Sequence, residues 1–311
     1  MDNLVFKAMG TTITLQIEHE FASLVLNQAK NLLLDYEQRF SANNDQSQLM
    51  QVNLAAGEKA MPVDSDLFEL IQFGKKYSLD NSTTLNIAIG PLIKLWKIGF
   101  KDAQLPSEIA IKERLNLINP NNIILDSKNS TVFLSERGME IDLGALAKGY
   151  FADKVKEFLL HMNVNHGIID LGGNVLLIGN HPQNKDENWR VGIQDPFKTR
   201  HNILGILKGK DNSIVTSGIY ERTFTYKGED YHHIFDSNTG YPIKNDIASI
   251  SIISPTSLQG ELYTTMYYQY NSLEALALLE SIPNIEAIIV TKEGKILQSS
   301  GVRESFIVVT G

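Results

Sequence analysis

Apolar residues change their spacing repeatedly along this chain, and each change marks an element. Leu4 to Ile17 alternates loosely around Met9-Gly-Thr-Thr12, which predicts a strand hairpin or a bent strand. From Phe21 to Phe40 the apolar positions Leu24, Leu26, Ala29, Leu32, Leu33 and Tyr36 take up a helical period instead. Gln46 to Asn53 reads as a short helix closed by Gly57. Asp64 is suited to cap a helix that runs to about Tyr77, because its side chain accepts from first-turn N–H groups. Pro91 opens a helix carrying Leu92, Leu95 and Trp96, and Pro106-Ser-Glu108 opens another to about Ile118. Two short strands, Asn122 to Leu125 and Thr131 to Leu134, precede a helix over 146–162 whose buried stripe is Phe151, Val155, Phe158, Leu159 and Met162.

Beyond that helix the period drops to that of strands. They are expected at His166–Asp170, Asn174–Ile178, Trp189–Ile193, Ile203–Leu207 and Ser213–Thr216, with a loop from Asp195 to His201. Thr223–Tyr226 and Tyr231–Phe235 flank Lys227-Gly228 as a hairpin, and Ile247–Ile253 is an apolar strand. Helices follow at Ser257–Tyr270 and Leu273–Ser281, then strands at Ile285–Val290, Ile296–Gln298 and Ser305–Val309. Helices and strands mix without regular βαβ alternation, so the predicted class is α+β, with mixed, mostly antiparallel sheets and packed helices. No repeat or linker separates independent domains, and 1–311 reads as one domain or as two intimately packed subdomains.

Composition narrows the function. With 43% hydrophobic and 21% charged residues the chain is globular, and a net charge of −8 without a Lys/Arg run argues against a nucleic-acid binder. The absence of cysteine removes disulfides, thiolate catalysis and thiolate metal sites. No window reaches membrane-spanning length, and the first residues lack a secretion pattern, so the chain reads as cytoplasmic unless a leader was removed.

Several polar clusters could carry chemistry. Asp142-Leu-Gly-Ala-Leu-Ala-Lys148-Gly-Tyr150 is a glycine-containing turn at a helix start, where free N–H groups and Lys148 suit an anion; a tight turn needed only for packing is the commoner explanation. Asp170-Leu-Gly-Gly-Asn174 repeats the acidic, apolar, glycine order. In His232-His233-Ile-Phe-Asp236 a histidine able to take a proton lies near a carboxylate, and adjacent strand histidines face opposite ways, so at most one faces a given site. Glu261 and Thr265 share a helix face and offer two hard oxygens to magnesium, although such a pair is more often a solvated surface.

Taken together, Met9-Gly-Thr, Arg39-Phe-Ser41, Ser47 to Asn53, Gly90 to Trp96, Asp142 to Tyr150, Asp170 to Asn174, Thr216 to Arg222, His233 to Pro242 and Glu261-x-x-x-Thr265 closely resemble the ApbE family of FAD:protein FMN transferases. The resemblance implies a magnesium-dependent enzyme that takes FAD as substrate, passes FMN to a Thr or Ser hydroxyl of an acceptor flavoprotein carrying a flavinylation motif, and releases AMP. It implies Ala147 (by its carbonyl), Glu261 and Thr265 as metal ligands, and His233 as the base with Asp236 ordering its loop. For the flavin nucleotide it implies Asp170, Gly172 and Gly173, with Met9, Ser41 and Lys148 beside them. FAD hydrolysis to FMN and AMP, or FAD binding without turnover, are the alternatives. Three departures stand out: Glu261 where aspartate is usual, Asn86 where aspartate is common, and Ala145 in place of a second glycine.

Overall fold

In the computed structural model, which describes every residue except Asn81, His201, Thr310 and Gly311, the alternating start is a hairpin of β1 (Asp2–Ala8) and β2 (Thr11–Ile17). It turns at Met9 and Gly10, both at positive φ. Then come α1 (Ala22–Phe40), α2 (Gln48–Leu54), β3 (Met61–Pro62), α3 (Ser65–Ser78), α4 (Gly90–Trp96) and α5 (Glu108–Leu115). Their starts follow side-chain caps: Ser47, Asp64 and Ser107 accept from the N–H groups of Met50, Leu67 and Ala110, and Pro91 sits in the first turn of α4. β4 (Ile123–Asp126) and β5 (Thr131–Leu134) lead to α6 (Ala147–His161). The strand-rich remainder is β6 (Gly167–Leu171), β7 (Asn174–Ile178), β8 (Trp189–Gln194), β9 (Ile203–Gly209), β10 (Ser213–Gly218), β11 (Thr223–Tyr226), β12 (Glu229–His232) and β13 (Ile247–Ser254). It closes with α7 (Ser257–Met266), α8 (Ser272–Glu280), β14 (Glu286–Thr291), β15 (Ile296–Gln298) and β16 (Phe306–Val308).

The α+β class is as expected, and several boundaries move. The helix expected to Tyr270 stops at Met266 and tightens into a 3-10 turn over Tyr267–Gln269, where the buried Tyr268 hydroxyl donates to the Ile247 carbonyl at 2.8 Å. The strand expected at Tyr231–Phe235 is observed at Glu229–His232, because the Asp236 N–H already turns to the Tyr241 carbonyl. The helix expected to Ile118 ends at Leu115, and the β3 pairing was not anticipated. Asn81 and His201, which bound the irregular stretch before α4 and the loop after β8, lie outside the described residues.

The chain divides into two compact units. The first, Met1–Glu37, Lys148–Gly218 and Asn245–Gly311, holds an eight-stranded antiparallel sheet in the order β1-β2-β6-β7-β10-β13-β14-β15 and a three-stranded sheet β16-β9-β8. The smaller sheet packs on one face of the larger through Trp189, Val191, Ile193, Leu207 and Phe306 against Leu177, Ile214, Ile253 and Ile288. α7 packs on β7, β10 and β13, and β7 and β13 are buried at every position, Asn174, Ser249, Ser251 and Ser254 being the polar residues among them. The second unit, Gln38–Ala147 and Ile219–Lys244, holds the β3-β5-β4 sheet, the β11-β12 hairpin and α2 to α5. The chain passes between units inside α1, at the first residue of α6, just after β10 and just before β13. Among the described residues no helix is long and apolar enough to cross a membrane.

Candidate functional site

In the first unit, Glu261 lies on α7 and is only 4% exposed. A carboxylate so placed needs partners, since burying one unpaired is costly. Its Oε1 accepts from the Asn174 amide at 2.8 Å and lies 3.6 Å from the Lys148 ammonium. The Asn174 amide is itself oriented, because its Oδ1 accepts from the Ser257 hydroxyl at 2.5 Å. The start of α7 is held by Asp153 of α6, whose two carboxylate oxygens accept from the Ser257 and Leu258 N–H groups at 2.7 and 2.8 Å. Burial outweighs these bonds and pushes the Asp153 carboxyl up to about 6. Gly149 permits this contact between helices, since a Cβ there would stand 2.5 Å from the Ser257 carbonyl oxygen and 2.8 Å from the Glu261 Cγ. Thr265 follows one turn after Glu261 and is half-buried.

The donor set therefore suits a hard cation within this unit. A nearly buried carboxylate precedes a hydroxyl by four residues on one helix, the oxygen chemistry that magnesium prefers. Among the described residues no group of three or more His, Asp or Glu side chains forms a conventional metal cluster.

The Asp170 turn belongs to the same unit. Asp170 ends the β6 face opposite Thr14, and its Oδ1 accepts from the Gly173 N–H at 2.7 Å. Its carboxyl is pushed up by burial, offset by the N–H groups of Gly173 and Gly172 and by Lys148. Gly172 and Gly173 both have positive φ, 73° and 100°, and a Cβ on Gly172 would meet the Thr11 hydroxyl. Met9 donates its N–H to Glu37 at 2.5 Å, fixing the turn beside Thr11.

In the second unit the Asp142 turn is pinned from below. Asn53 takes the Ile141 N–H at 2.8 Å and gives its amide to the Ile141 carbonyl at 2.9 Å. Asp142 accepts from the Gly144 N–H at 2.8 Å, and burial pushes its carboxyl up against the opposing pull of Arg222 and Lys94. Ala145 has no positive φ, so the glycine it replaces is not required by the backbone here. Ala147 is half-buried at the first residue of α6. Asn86 is nearly buried; its amide donates to the Ile118 carbonyl at 2.7 Å while its Oδ1 accepts from the Ala88 N–H. An ionised aspartate could not make the first bond, which explains an asparagine at this position.

His233 follows β12 in the same unit, and its Nδ1 faces the Arg222 carbonyl at 3.3 Å. A carbonyl only accepts, so this contact places the proton on Nδ1 and the lone pair on Nε2. His232 is buried, with Nε2 on the Ile243 carbonyl and Nδ1 accepting from the Ile234 N–H, a neutral structural histidine. Asp236 ties its own loop: its carboxylate accepts from the Asn238 N–H and the Thr239 hydroxyl, and its carbonyl from the Gly240 N–H. The fully buried Trp96 donates to the Gly240 carbonyl at 3.0 Å and packs its ring against Phe224, Tyr231, Phe235 and Tyr241. Ser41 turns to its own loop, taking the Asn43 N–H on its hydroxyl and the Ser47 hydroxyl on its carbonyl.

Of the residues singled out in the sequence, Met9, Lys148, Asp170, Gly172, Gly173, Glu261 and Thr265 thus lie in the first unit, and Ser41, Ala147, His233 and Asp236 in the second. Asp153, Asn174 and Ser257 were not singled out for a role. Nothing in helical spacing marks Asp153, whereas Asn174 closes a motif and could have been suspected.

A family model described as the ApbE family matches residues 9–289. The chain is 38% identical over 309 residues to an FAD:protein FMN transferase of Klebsiella pneumoniae, covering 98% of this chain and 95% of that one. It is 33% identical to an FAD:protein FMN transferase of Treponema pallidum, over 89% and 80% of the two chains. Among solved structures, the ApbE protein of Thermotoga maritima superposes with a TM-score of 0.88 at 24% identity over 98% of both chains. The flavinyl transferase ApbE of Pseudomonas stutzeri does so at 0.84 and 21%, over 99% of this chain and 98% of that one.

Proposed function

This chain belongs to the ApbE family, and we propose that it is an FAD:protein FMN transferase that uses magnesium, acts on a Thr or Ser hydroxyl of an acceptor flavoprotein and releases AMP. The 38% identity along nearly the whole of a transferase supports the reaction. The observation that carries the catalytic form of the reading is Glu261, a nearly buried carboxylate held by Asn174 and followed one turn later by Thr265.

Glu261 and Thr265, with the Ala147 carbonyl, would hold the magnesium ion. That ion would supply charge neutralisation at the FAD diphosphate and at the departing phosphate. The acceptor oxygen forms a bond to the FMN phosphorus, the bridging P–O bond breaks, and AMP leaves with that electron pair. His233 takes the hydroxyl proton on Nε2, the nitrogen left with the lone pair by the Arg222 carbonyl. Asp170 and the Gly172–Gly173 turn would border the flavin nucleotide, with the N–H groups of both glycines tied to the Asp170 carboxylate and the turn thereby fixed.

Pure protein incubated with FAD, magnesium and an acceptor domain containing a flavinylation motif should raise the acceptor's intact mass by one FMN. Free FMN and AMP without that gain would make the chain a hydrolase. Unchanged FAD retained by the protein would make it a binding protein.

A further inference from the structure

Lys148 is the second group, after the Asn174 amide, that addresses the buried Glu261 carboxylate. Its ammonium stands 3.6 Å from Oε1, the same oxygen that the Asn174 amide engages, and it also acts electrostatically on the Asp170 carboxyl. The lysine side chain keeps 35% of its surface in solvent, whereas that of Glu261 keeps 5%. One partner is therefore fixed and buried, and the other is long and still hydrated at its tip. From this asymmetry we infer that Lys148 is a resident counter-cation of Glu261, which must yield when a metal ion binds the same carboxylate.

The inference rests on the transferase reading only for the choice of magnesium as the ion. A magnesium–oxygen bond is about 2.1 Å, so an ion on Oε1 would lie within about 6 Å of the ammonium as it now stands. An ion on the other oxygen would lie only slightly farther away. At either distance, in a site this dry, a single and a double positive charge repel strongly. The lysine thus has two effects of opposite sign. It stabilises the ion-free protein by neutralising a buried carboxylate, and it lowers magnesium affinity by competing for that carboxylate. Its hydrated tip supplies the means of exchange, because the ammonium can turn outward without repacking α7.

Lys148→Met keeps the stem and removes the charge. Without magnesium it should melt below the wild type. Titrated with magnesium chloride alone, without FAD or acceptor, it should bind about tenfold more tightly, so that at matched excess magnesium its melting temperature rises by about 2 °C more than that of the wild type. Lys148→Arg, which retains the charge, should respond like the wild type, and Glu261→Gln added to Lys148→Met should erase the extra rise. A magnesium response in Lys148→Met equal to or smaller than that of the wild type, including none in either, overturns the inference. So does an equal gain in Lys148→Arg. FMN transfer is scored separately on acceptor mass: transfer with equal magnesium responses would sink the lysine's role alone, and the extra rise without transfer would sink the transferase reading alone.

Discussion

Glu261, His233 and Asp153 make separable claims at the scale of single residues. Glu261→Ala should abolish magnesium-dependent AMP release while FAD binding, followed by flavin fluorescence, persists; full turnover would remove Glu261 from the metal site. For His233→Ala, acceptor labelling should slow by about 10²- to 10⁴-fold with FAD still bound, the range expected on losing a general base. Wild-type rates in that variant would exclude it as the base. Asp153 yields a pH test, since its carboxyl lies at about 6 in the fold against 3.8 in the unfolded chain. The folded protein holds this proton over the interval, so the group's stabilising contribution is complete below about pH 4 and is lost as pH rises through 6, by about 3 kcal/mol. Asp153→Asn lacks that titration. The denaturant-derived stability of the wild type minus that of the variant should therefore fall between pH 4 and pH 7, and a constant difference would mean that Asp153 ionises normally.

At the scale of elements, α7 and the loop after β12 show two ways of presenting a reactive group. α7 is clamped at its first turn by Asp153 and along one side by Asn174, so its carboxylate is placed by buried polar bonds. The loop from His233 to Pro242 is held instead by Trp96 at the end of α4, by Ile111 and Leu115 of α5 close against Gly240, and by the turn that Asp236 builds. Trp96→Ala should cost about 3–5 kcal/mol. It should also lower labelling of the acceptor more than FAD binding, measurable as a loss of transfer rate at saturating FAD. Much of this was legible in the sequence: the helical period of Phe21–Phe40, the Asp64 cap and the apolar run of Ile247–Ile253 each led to the observed element. What was illegible shares one cause, bonds between residues far apart in the chain. Tyr268 ends α7 early by reaching Ile247, and Asp153 caps a helix that begins more than a hundred residues later. Asn86 looked like a lost charge until its amide was seen on the Ile118 carbonyl. Motif order located the candidate residues, but it was silent on Asp153 and Ser257, which only hold other residues in place.

For the whole molecule, the relevant fact is that each compact unit is discontinuous in sequence. The second unit consists of Gln38–Ala147 and Ile219–Lys244, and both segments precede Asn245. The first unit needs Asn245–Gly311 for β13, β14 and α7, which complete its large sheet and carry Glu261 and Thr265. During synthesis, at about 5–20 residues per second, the unit bearing His233 emerges from the ribosome before β13, the strand that pairs with β10, and the elements after it do. Until then β10 offers an unpaired edge, a hazard that grows with any pause in translation. Ribosome-bound chains arrested with Lys244 just clear of the exit tunnel should protect 38–147 from protease while 1–37 and 148–218 stay cleavable. Equal protection of all three stretches would mean that the sheet forms without its later strands. The order in which the chain is made thus sets an order of assembly, with the loop that carries His233 in place first and the helix that carries Glu261 delivered last.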